Sequence, residues 1–244
     1  MDIDALEAAA RRGEIQACIL TPTHQNPLGF CMSDSDKQAA VETLARYEIP
    51  LIEDDVFGAL GLEYPRPRPA KAYDTAGNVI YCGSFSKVLS PAFRLGWLAP
   101  GRYAEEVLWQ KILLNISSPT ILQLAMVDYL KGNRFRRVTQ LAARHYAQRI
   151  QTLRDAVLEH FPAGTTCSAP VGGYYLWVEM PGDYDSATLY RHALSNGITL
   201  TPGRLFTSAG GYRSCLRMSV AAVTAKVIPE AVAKLGRLAV FCRR

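Results

Sequence analysis

The chain has 244 residues, of which 49% are hydrophobic and 20% charged, and its net charge is +5. This is the composition of an ordinary globular domain, and it excludes a disordered or fibrous chain. No basic segment followed by an apolar run opens the sequence, and no stretch of about 18 apolar residues occurs, so we expect neither export nor membrane spanning. The six cysteines and four histidines show no metal-ligand spacing, so we expect a cytoplasmic protein with reduced thiols and no metal site.

Short apolar runs alternate with helical patterns in the first part of the chain. A helix is predicted to begin at Ser33 and run toward Tyr47. Prolines in EYPRPRPA (63–70) remove backbone donors, which predicts a surface connection there. Strands are predicted for four runs: QACILTP (16–22), IPLIEDD (49–55), NVIYCGS (78–84) and RLGWLAP (94–100). This alternation favours βαβ units and a mostly parallel sheet.

Helical patterns dominate the next part, at about 103–116, 119–131 and 134–161. The last pattern is rich in arginine, which could attract nucleic acid, but the interpretation as a solvated helix face is favoured. Three apolar runs follow, together with helices near 186–196 and after Thr224: GGYYLWVEM, ITLTP and CLRMSV. They predict a smaller α/β unit. We therefore predict one domain over 1–133, and a second over 134–244 that begins with the long helix.

Polar residues follow each of the first three predicted strands. Ligands of open α/β sheets bind outside the carboxyl ends of the parallel strands. The segments TPTHQNPLG, EDD and GSFSK would therefore gather three side chains at one edge: Asn26, Asp54 or Asp55, and Lys87. On a strand the two aspartates point to opposite faces, so only one of them can serve such a site.

The chemistry of these residue types suggests one ligand. The hydroxyls of Ser84 and Ser86 and the guanidinium of Arg94 are suitable donors for a phosphate. Lys87, among apolar neighbours and near a cation, would lose its proton more easily and could form a Schiff base with an aldehyde. An aspartate would keep a ring nitrogen protonated. Phosphate, aldehyde and protonated ring nitrogen together describe pyridoxal 5′-phosphate.

The order of five segments along the chain strengthens this interpretation: TPTHQNPLG, IEDDVFG, YCGSFSKVLSPAFRLGWLAPG, PVGGYYLWVEMP and CLRMSV. Together they resemble fold-type I pyridoxal-phosphate enzymes of the class I/II aminotransferase family. The likeness is greatest to the aminotransferase-like domain of MocR-type regulators of the GntR family. It implies an α/β fold with a partial large domain, built on a mostly parallel sheet, and a smaller C-terminal α/β domain.

The resemblance also implies a role for each matching residue. Lys87 would form the Schiff base and Asp54 would face the ring nitrogen, which makes these two the expected catalytic residues. The remaining roles are phosphate binding by Ser84, Ser86 and Arg94, binding of the pyridine 3′-oxygen and of substrate by Asn26, and binding of the substrate α-carboxylate by Arg217. The aromatic residues Tyr174 and Tyr175, with Leu205, are expected in the pocket walls.

The sequence departs from the family in two places. In the family, a tyrosine follows the ring-facing aspartate after two intervening residues. Counted from Asp54, that position is Phe57, and phenylalanine cannot donate a hydrogen bond to the 3′-oxygen. The family's phosphate loop, its ring-stacking residue and the regulators' winged-helix domain all lie upstream of the Asn-Pro segment. We therefore expect an N-terminally truncated chain whose large-domain sheet has open edges, which makes it unstable or prone to aggregation.

Three functions remain open. The first is an aminotransferase that moves an amino group between an amino acid and a 2-oxo acid, as a homodimer. The second is an effector-sensing domain of a MocR-type regulator that lacks its DNA-binding domain and would not bind a specific DNA sequence. The third is an inactive remnant. The sequence leaves the substrate amino acid undetermined.

Overall fold

The computed structural model describes residues 1–63 and 65–243, so Tyr64 of the predicted surface connection lies outside the described residues. The chain divides into two compact units. The first contains Met1–Gln25 and Cys31–Ala142, and the second contains Asn26–Phe30 and the residues from Ala143 onward. The predicted domain boundary after residue 133 stays a prediction.

The first unit is built on a four-stranded sheet with the order β1-β2-β3-β4. Its strands are β1 (Cys18–Leu20), β2 (Leu51–Asp54), β3 (Val79–Ser84) and β4 (Gly96–Ala99). The first three run parallel, and β4 runs antiparallel to β3, which confirms the mostly parallel sheet. In the described part of the chain β1 and β4 are the outer strands of this sheet.

One face of this sheet packs against two helices, α1 (Ile3–Arg11) and α2 (Asp34–Arg46). The helix α2 begins as predicted, because the Ser33 side chain accepts a hydrogen bond from the Asp36 amide. The sequence interpretation missed α1, which Asp2 caps in the same way. The core between sheet and helices consists of Ala10, Val41, Leu44, Ile49, Leu51, Ala70 and Val79.

The other face of the sheet is only partly covered. An apolar cavity of about 440 Å³ lies between strand residues such as Ile52 and Ile80 and the helix α3 (Ala104–Asn115). This helix and α4 (Thr120–Leu130) expose many apolar side chains: Leu108, Trp109, Leu113, Leu114, Ile121, Leu124 and Val127. Exposed apolar area of this extent is unusual for a monomeric domain.

The second unit contains an antiparallel sheet with the order β5-β6-β8-β7. Its strands are β5 (Thr166–Cys167), β6 (Tyr175–Glu179), β7 (Thr201–Pro202) and β8 (Cys215–Ser219). The helix α5 (Arg134–His160) contributes residues to both units, and α6 (Ser186–Leu194) and α7 (Ile228–Ala239) complete the second. After Thr224 the chain first makes a 3-10 turn over Ala225–Val227, and α7 starts only afterwards.

Alternation along the strands gives the second sheet two different faces. Leu176, Val178, Leu216 and Met218 are buried on one face. The opposite face carries Tyr175, Trp177 and Arg217, because these residues occupy the intervening positions. Among the described residues, no helix is both long and apolar enough to cross a membrane.

Candidate functional site

The carboxyl ends of β2 and β3 place two predicted site residues on one face of the first sheet. Asp54 is in register with Cys82, and Ser84 follows two residues later on the same face. The Asp54 carboxylate is partly exposed, and its Oδ1 accepts a hydrogen bond from the Val56 amide at 3.2 Å. A carboxylate has about four acceptor positions, so Asp54 keeps capacity to bind a protonated nitrogen.

The turn after β3 collects donors suited to a phosphate. The Ser84 hydroxyl accepts a hydrogen bond from the Ser86 amide at 3.1 Å, and Arg94 Nη1 donates to the Ser86 hydroxyl at 3.4 Å. Arg94 ends the short 3-10 helix Pro91–Phe93 in a left-handed conformation, with φ of 50°. Two hydroxyls and a guanidinium thus lie close together, in the same segment that carries Lys87.

The side chain of Lys87 is exposed, although its neighbours Phe85 and Val88 are buried. Phe85 packs against Trp97, with the ring centroids 4.7 Å apart. These apolar neighbours anchor the turn in the core and do not enclose the amine. The expectation that they desolvate Lys87 is therefore wrong for the described chain.

Asp54 and Asp55 have very different surroundings. The Asp55 side chain is fully buried and forms an ion pair with Arg66 at 2.7 Å. It also accepts a hydrogen bond from the Tyr81 hydroxyl at 2.5 Å. Burial, and next the charge of Asp55, raise the pKa of Tyr81, which keeps this phenol protonated as a donor. Asp55 is thus committed to its own partners, and Asp54 is the aspartate that a ligand can reach.

Phe57 lies in the core with 3% of its surface exposed. Its backbone carbonyl accepts a hydrogen bond from Nδ1 of the buried His24, at 2.9 Å. Burial lowers the pKa of His24 and outweighs the opposite effect of this hydrogen bond. Phe57 therefore stabilises the turn after β2, and its ring offers no donor to a ligand.

In the second unit, four of the described residues contact the Arg217 side chain. Its Nη1 donates to Asn26 Oδ1 at 2.7 Å, and its Nη2 donates to the Thr201 hydroxyl at 3.3 Å. The guanidinium carbon lies 4.0 Å from the ring centroid of Tyr175 and 5.1 Å from that of Phe206. Hydrogen bonds and aromatic stacking together fix the plane of a group suited to bind a carboxylate.

The structure thus divides the predicted site residues into two groups. Asp54, Ser84, Ser86, Lys87 and Arg94 belong to the first unit, and Asn26 and Arg217 to the second. The sequence interpretation missed several neighbours of these groups: Arg66 and Tyr81 in the first unit, and Thr201 and Phe206 in the second. Strand alternation could have identified Tyr175 as a contact of Arg217, since both lie on one face of paired strands.

The other expected wall residues differ in position. Tyr174 is buried and packs edge-to-face against Tyr146, with the ring centroids 5.3 Å apart. Leu205 exposes 71% of its surface.

Comparison with known proteins identifies the family. Residues 1–235 match the model of the family described as aminotransferase class I and II. The chain belongs to this family.

It is 35% identical over 238 residues to the HTH-type transcriptional regulator YdcR of Escherichia coli, and 33% identical over 236 residues to the regulator YjiR of the same organism. These matches cover 98% and 97% of this chain but 51% and 50% of the two regulators. The chain spans about half the length of these relatives.

Solved structures show the same fold. The crystal structure of LysN, an α-aminoadipate aminotransferase from Thermus thermophilus, matches with a TM-score of 0.90 and 28% identity. The match covers 99% of this chain and 63% of LysN. The chain therefore has the fold of type I pyridoxal-phosphate transferases, as the resemblance implied. LysN was crystallised with N-(5′-phosphopyridoxyl)-L-leucine, and the family implies pyridoxal phosphate as the cofactor.

The residues present fit this cofactor. The hydroxyls of Ser84 and Ser86 with the guanidinium of Arg94 form a phosphate-binding donor set. The exposed amine of Lys87 follows in the same segment. Among the residues that the structure describes, Asp54 forms no ion pair, whereas Asp55 is paired with Arg66.

Proposed function

We propose that this chain carries the cofactor-binding and substrate-carboxylate-binding residues of a pyridoxal-phosphate-dependent aminotransferase. The substrates are an amino acid and a 2-oxo acid. The observation that supports this most directly is the placement of Ser84, Ser86, Lys87 and Arg94 in and just after one turn, with Asp54 on the adjacent strand. A surface turn has no structural need for this combination of hydroxyls, amine, guanidinium and carboxylate.

Each residue has a defined task in this proposal. When bound, pyridoxal phosphate supplies an aldehyde and an electron-withdrawing ring. Ser84, Ser86 and Arg94 hold the phosphate, and Asp54 keeps a proton on the ring nitrogen. The Lys87 amine would take the proton from the substrate α-carbon as a general base and would later donate a proton as a general acid.

The second group of residues handles the substrate. The planar Arg217 guanidinium can bind a carboxylate with two parallel hydrogen bonds, which a lysine could not do. The Asn26 side-chain oxygen accepts from Arg217, which places this amide beside the guanidinium that would bind the substrate carboxylate. We also propose a homodimer, because the exposed apolar surface of α3 and α4 is large.

A second candidate function is the sensing of an amino acid without turnover. It is favoured by the identity of 33–35% to two HTH-type regulators. The same residues would then bind the cofactor and the amino acid. The signal would be the bound amino acid itself and not a reaction product.

One experiment tests the cofactor assignment. Purified protein is mixed with pyridoxal phosphate and reduced with borohydride, and the labelled residue is mapped by mass spectrometry. We expect a label on Lys87, its loss in Lys87→Ala and its retention in Lys131→Ala, which changes an exposed lysine. Scattered labelling in the parent, or transamination by Lys87→Ala, would contradict the assignment. Formation of 2-oxo acid from a screened amino acid then separates an aminotransferase from a sensor.

A further inference from the structure

Asp55 is a buried carboxylate beside Asp54 that takes no part in the proposed chemistry. Arg66 Nη2 lies 2.8 Å from its Oδ1 and 2.7 Å from its Oδ2, and the Tyr81 hydroxyl donates to Oδ2 at 2.5 Å. A buried carboxylate needs such partners, because its desolvation is otherwise costly. We call these three residues, Asp55, Arg66 and Tyr81, the Asp55 clamp. Asp55 directly follows β2, Arg66 belongs to the proline-rich connection and Tyr81 to β3.

The backbone around Asp55 is fixed as well. Its amide donates to the Cys82 carbonyl at 3.0 Å, and its carbonyl accepts from the Gly58 amide at 3.1 Å. A Cβ atom at Gly58 would collide with the Arg66 guanidinium and with the Asp55 carboxylate. A glycine at this position is therefore what gives Arg66 access to Asp55.

We propose that Arg66 and Tyr81 are positioning residues that act through Asp55 on the orientation of Asp54. Successive side chains on a strand point to opposite faces, so holding Asp55 on the buried face turns Asp54 to the other face. Arg66 also neutralises Asp55. Asp54 is left as the carboxylate available to a cationic ring nitrogen. This inference rests on the proposed function, because it assigns the purpose of the clamp to the cofactor site.

The free protein offers a direct readout of the Asp54 orientation. The Val56 amide donates to Asp54 Oδ1, so its hydrogen-exchange rate reports whether the carboxylate keeps its place. We expect Arg66→Met and Tyr81→Phe to speed this exchange at least tenfold and to shift the NMR signal of the Asp54 carboxyl carbon. Arg66→Lys, which keeps the charge, should restore most of the protection.

Two controls separate orientation from general loss of stability. Arg68→Met removes an exposed arginine from the same connection and should leave the Val56 exchange rate unchanged. The Val79 amide donates to Asp74 at 2.9 Å and lies at the start of β3, opposite Leu51 rather than Asp54. It should exchange at the parent rate in each variant. Equal acceleration of the Val56 and Val79 amides, or Val56 exchange within twofold of the parent in both clamp variants, overturns the proposal.

The cofactor provides the second measurement. Arg66→Met and Tyr81→Phe should bind pyridoxal phosphate at least tenfold more weakly, while borohydride at saturating cofactor still labels Lys87. Parent-like cofactor affinity in both variants overturns the role of the clamp while the proposed function stands. If the parent itself is not labelled at Lys87, the proposed function fails, and the Val56 exchange rate still decides whether the clamp orients Asp54.

Discussion

Arg217 Nη1 donates a hydrogen bond to Asn26 Oδ1 at 2.7 Å, which joins residues 191 positions apart in the sequence. A second donor, Nη2, reaches Thr201, and the Nε atom is buried without a hydrogen-bond partner in the part of the chain that the structure describes. The hydrogen bond to Asn26 orients the guanidinium before any ligand arrives. This preorganisation reduces the entropy that substrate binding would otherwise cost.

The first prediction concerns this guanidinium. Arg217→Lys keeps the charge but removes the planar fork, so we expect the KM for amino acid and 2-oxo acid to rise roughly thirtyfold, equivalent to about 2 kcal/mol. Steady-state kinetics checks this. Arg213→Lys, the same change at an exposed arginine nearby, is the control. An unchanged KM in Arg217→Lys would show that another group binds the carboxylate.

The second prediction concerns the aromatic ring beneath Arg217. Tyr175→Leu removes the ring at 4.0 Å from the guanidinium carbon, whereas Tyr175→Phe keeps it. We expect the leucine variant to weaken carboxylate binding by about 1 kcal/mol, roughly fivefold, and the phenylalanine variant to behave like the parent. Calorimetric titration with a 2-oxo acid measures the difference. Equal weakening in both variants would assign the effect to the hydroxyl.

The third prediction concerns pH and His24. The folded-state pKa of this residue lies below its usual 6.5, mainly because it is buried. Between the folded-state pKa and 6.5, His24 binds more protons in the unfolded chain than in the folded one. The contribution of His24 to the free energy of unfolding therefore falls as the pH drops from 6.5. The slope is at most about 1.4 kcal/mol per pH unit for one group. The charged groups that act on His24 are Asp55, Arg66 and Lys37.

Urea denaturation between pH 7.5 and 5 tests the contribution of His24. His24→Asn removes the titrating ring, and asparagine tolerates the left-handed backbone at this position, where φ is 51°. We expect a flatter dependence of stability on pH in His24→Asn than in the parent. His192→Asn makes the same change at an exposed histidine and serves as the control. Identical slopes in parent and His24→Asn would refute the assignment.

The fourth prediction concerns α3 and α4. Leu114 and Ile121 expose 82% and 77% of their surface, so we expect the purified chain to associate or aggregate. A double variant with Leu114→Glu and Ile121→Glu should shift the population toward monomer at least tenfold, because charges in an apolar contact are costly. Sedimentation velocity measures this. Leu205→Glu, at an exposed position of the second unit, is the control. A monomeric parent with a cooperative thermal transition would contradict the expectation.

Local pattern was enough to predict most of the elements. The alternation of apolar runs with helical periods predicted β1 to β4, and Ser33 marked the start of α2. Motif order then predicted the family and the residues Lys87, Arg94 and Arg217. The short helix α1 escaped, although Asp2 caps it, because at nine residues it forms little periodic pattern and depends on packing against α2.

The sequence by itself determined which chemistry the chain can offer, because hydroxyls, amine, guanidinium and carboxylate are properties of residue type. The family pattern pointed to Asp54, but only the tertiary structure decided that Asp55 is engaged by partners of its own. Those partners are Arg66 and Tyr81, which reach Asp55 from 11 and 26 positions away. The contact of the Tyr175 ring with Arg217 and the hydrogen bond from Arg217 to Asn26 likewise depend on strand pairing and long-range contact. Burial and charge pairing act through space, so no local sequence pattern could specify them.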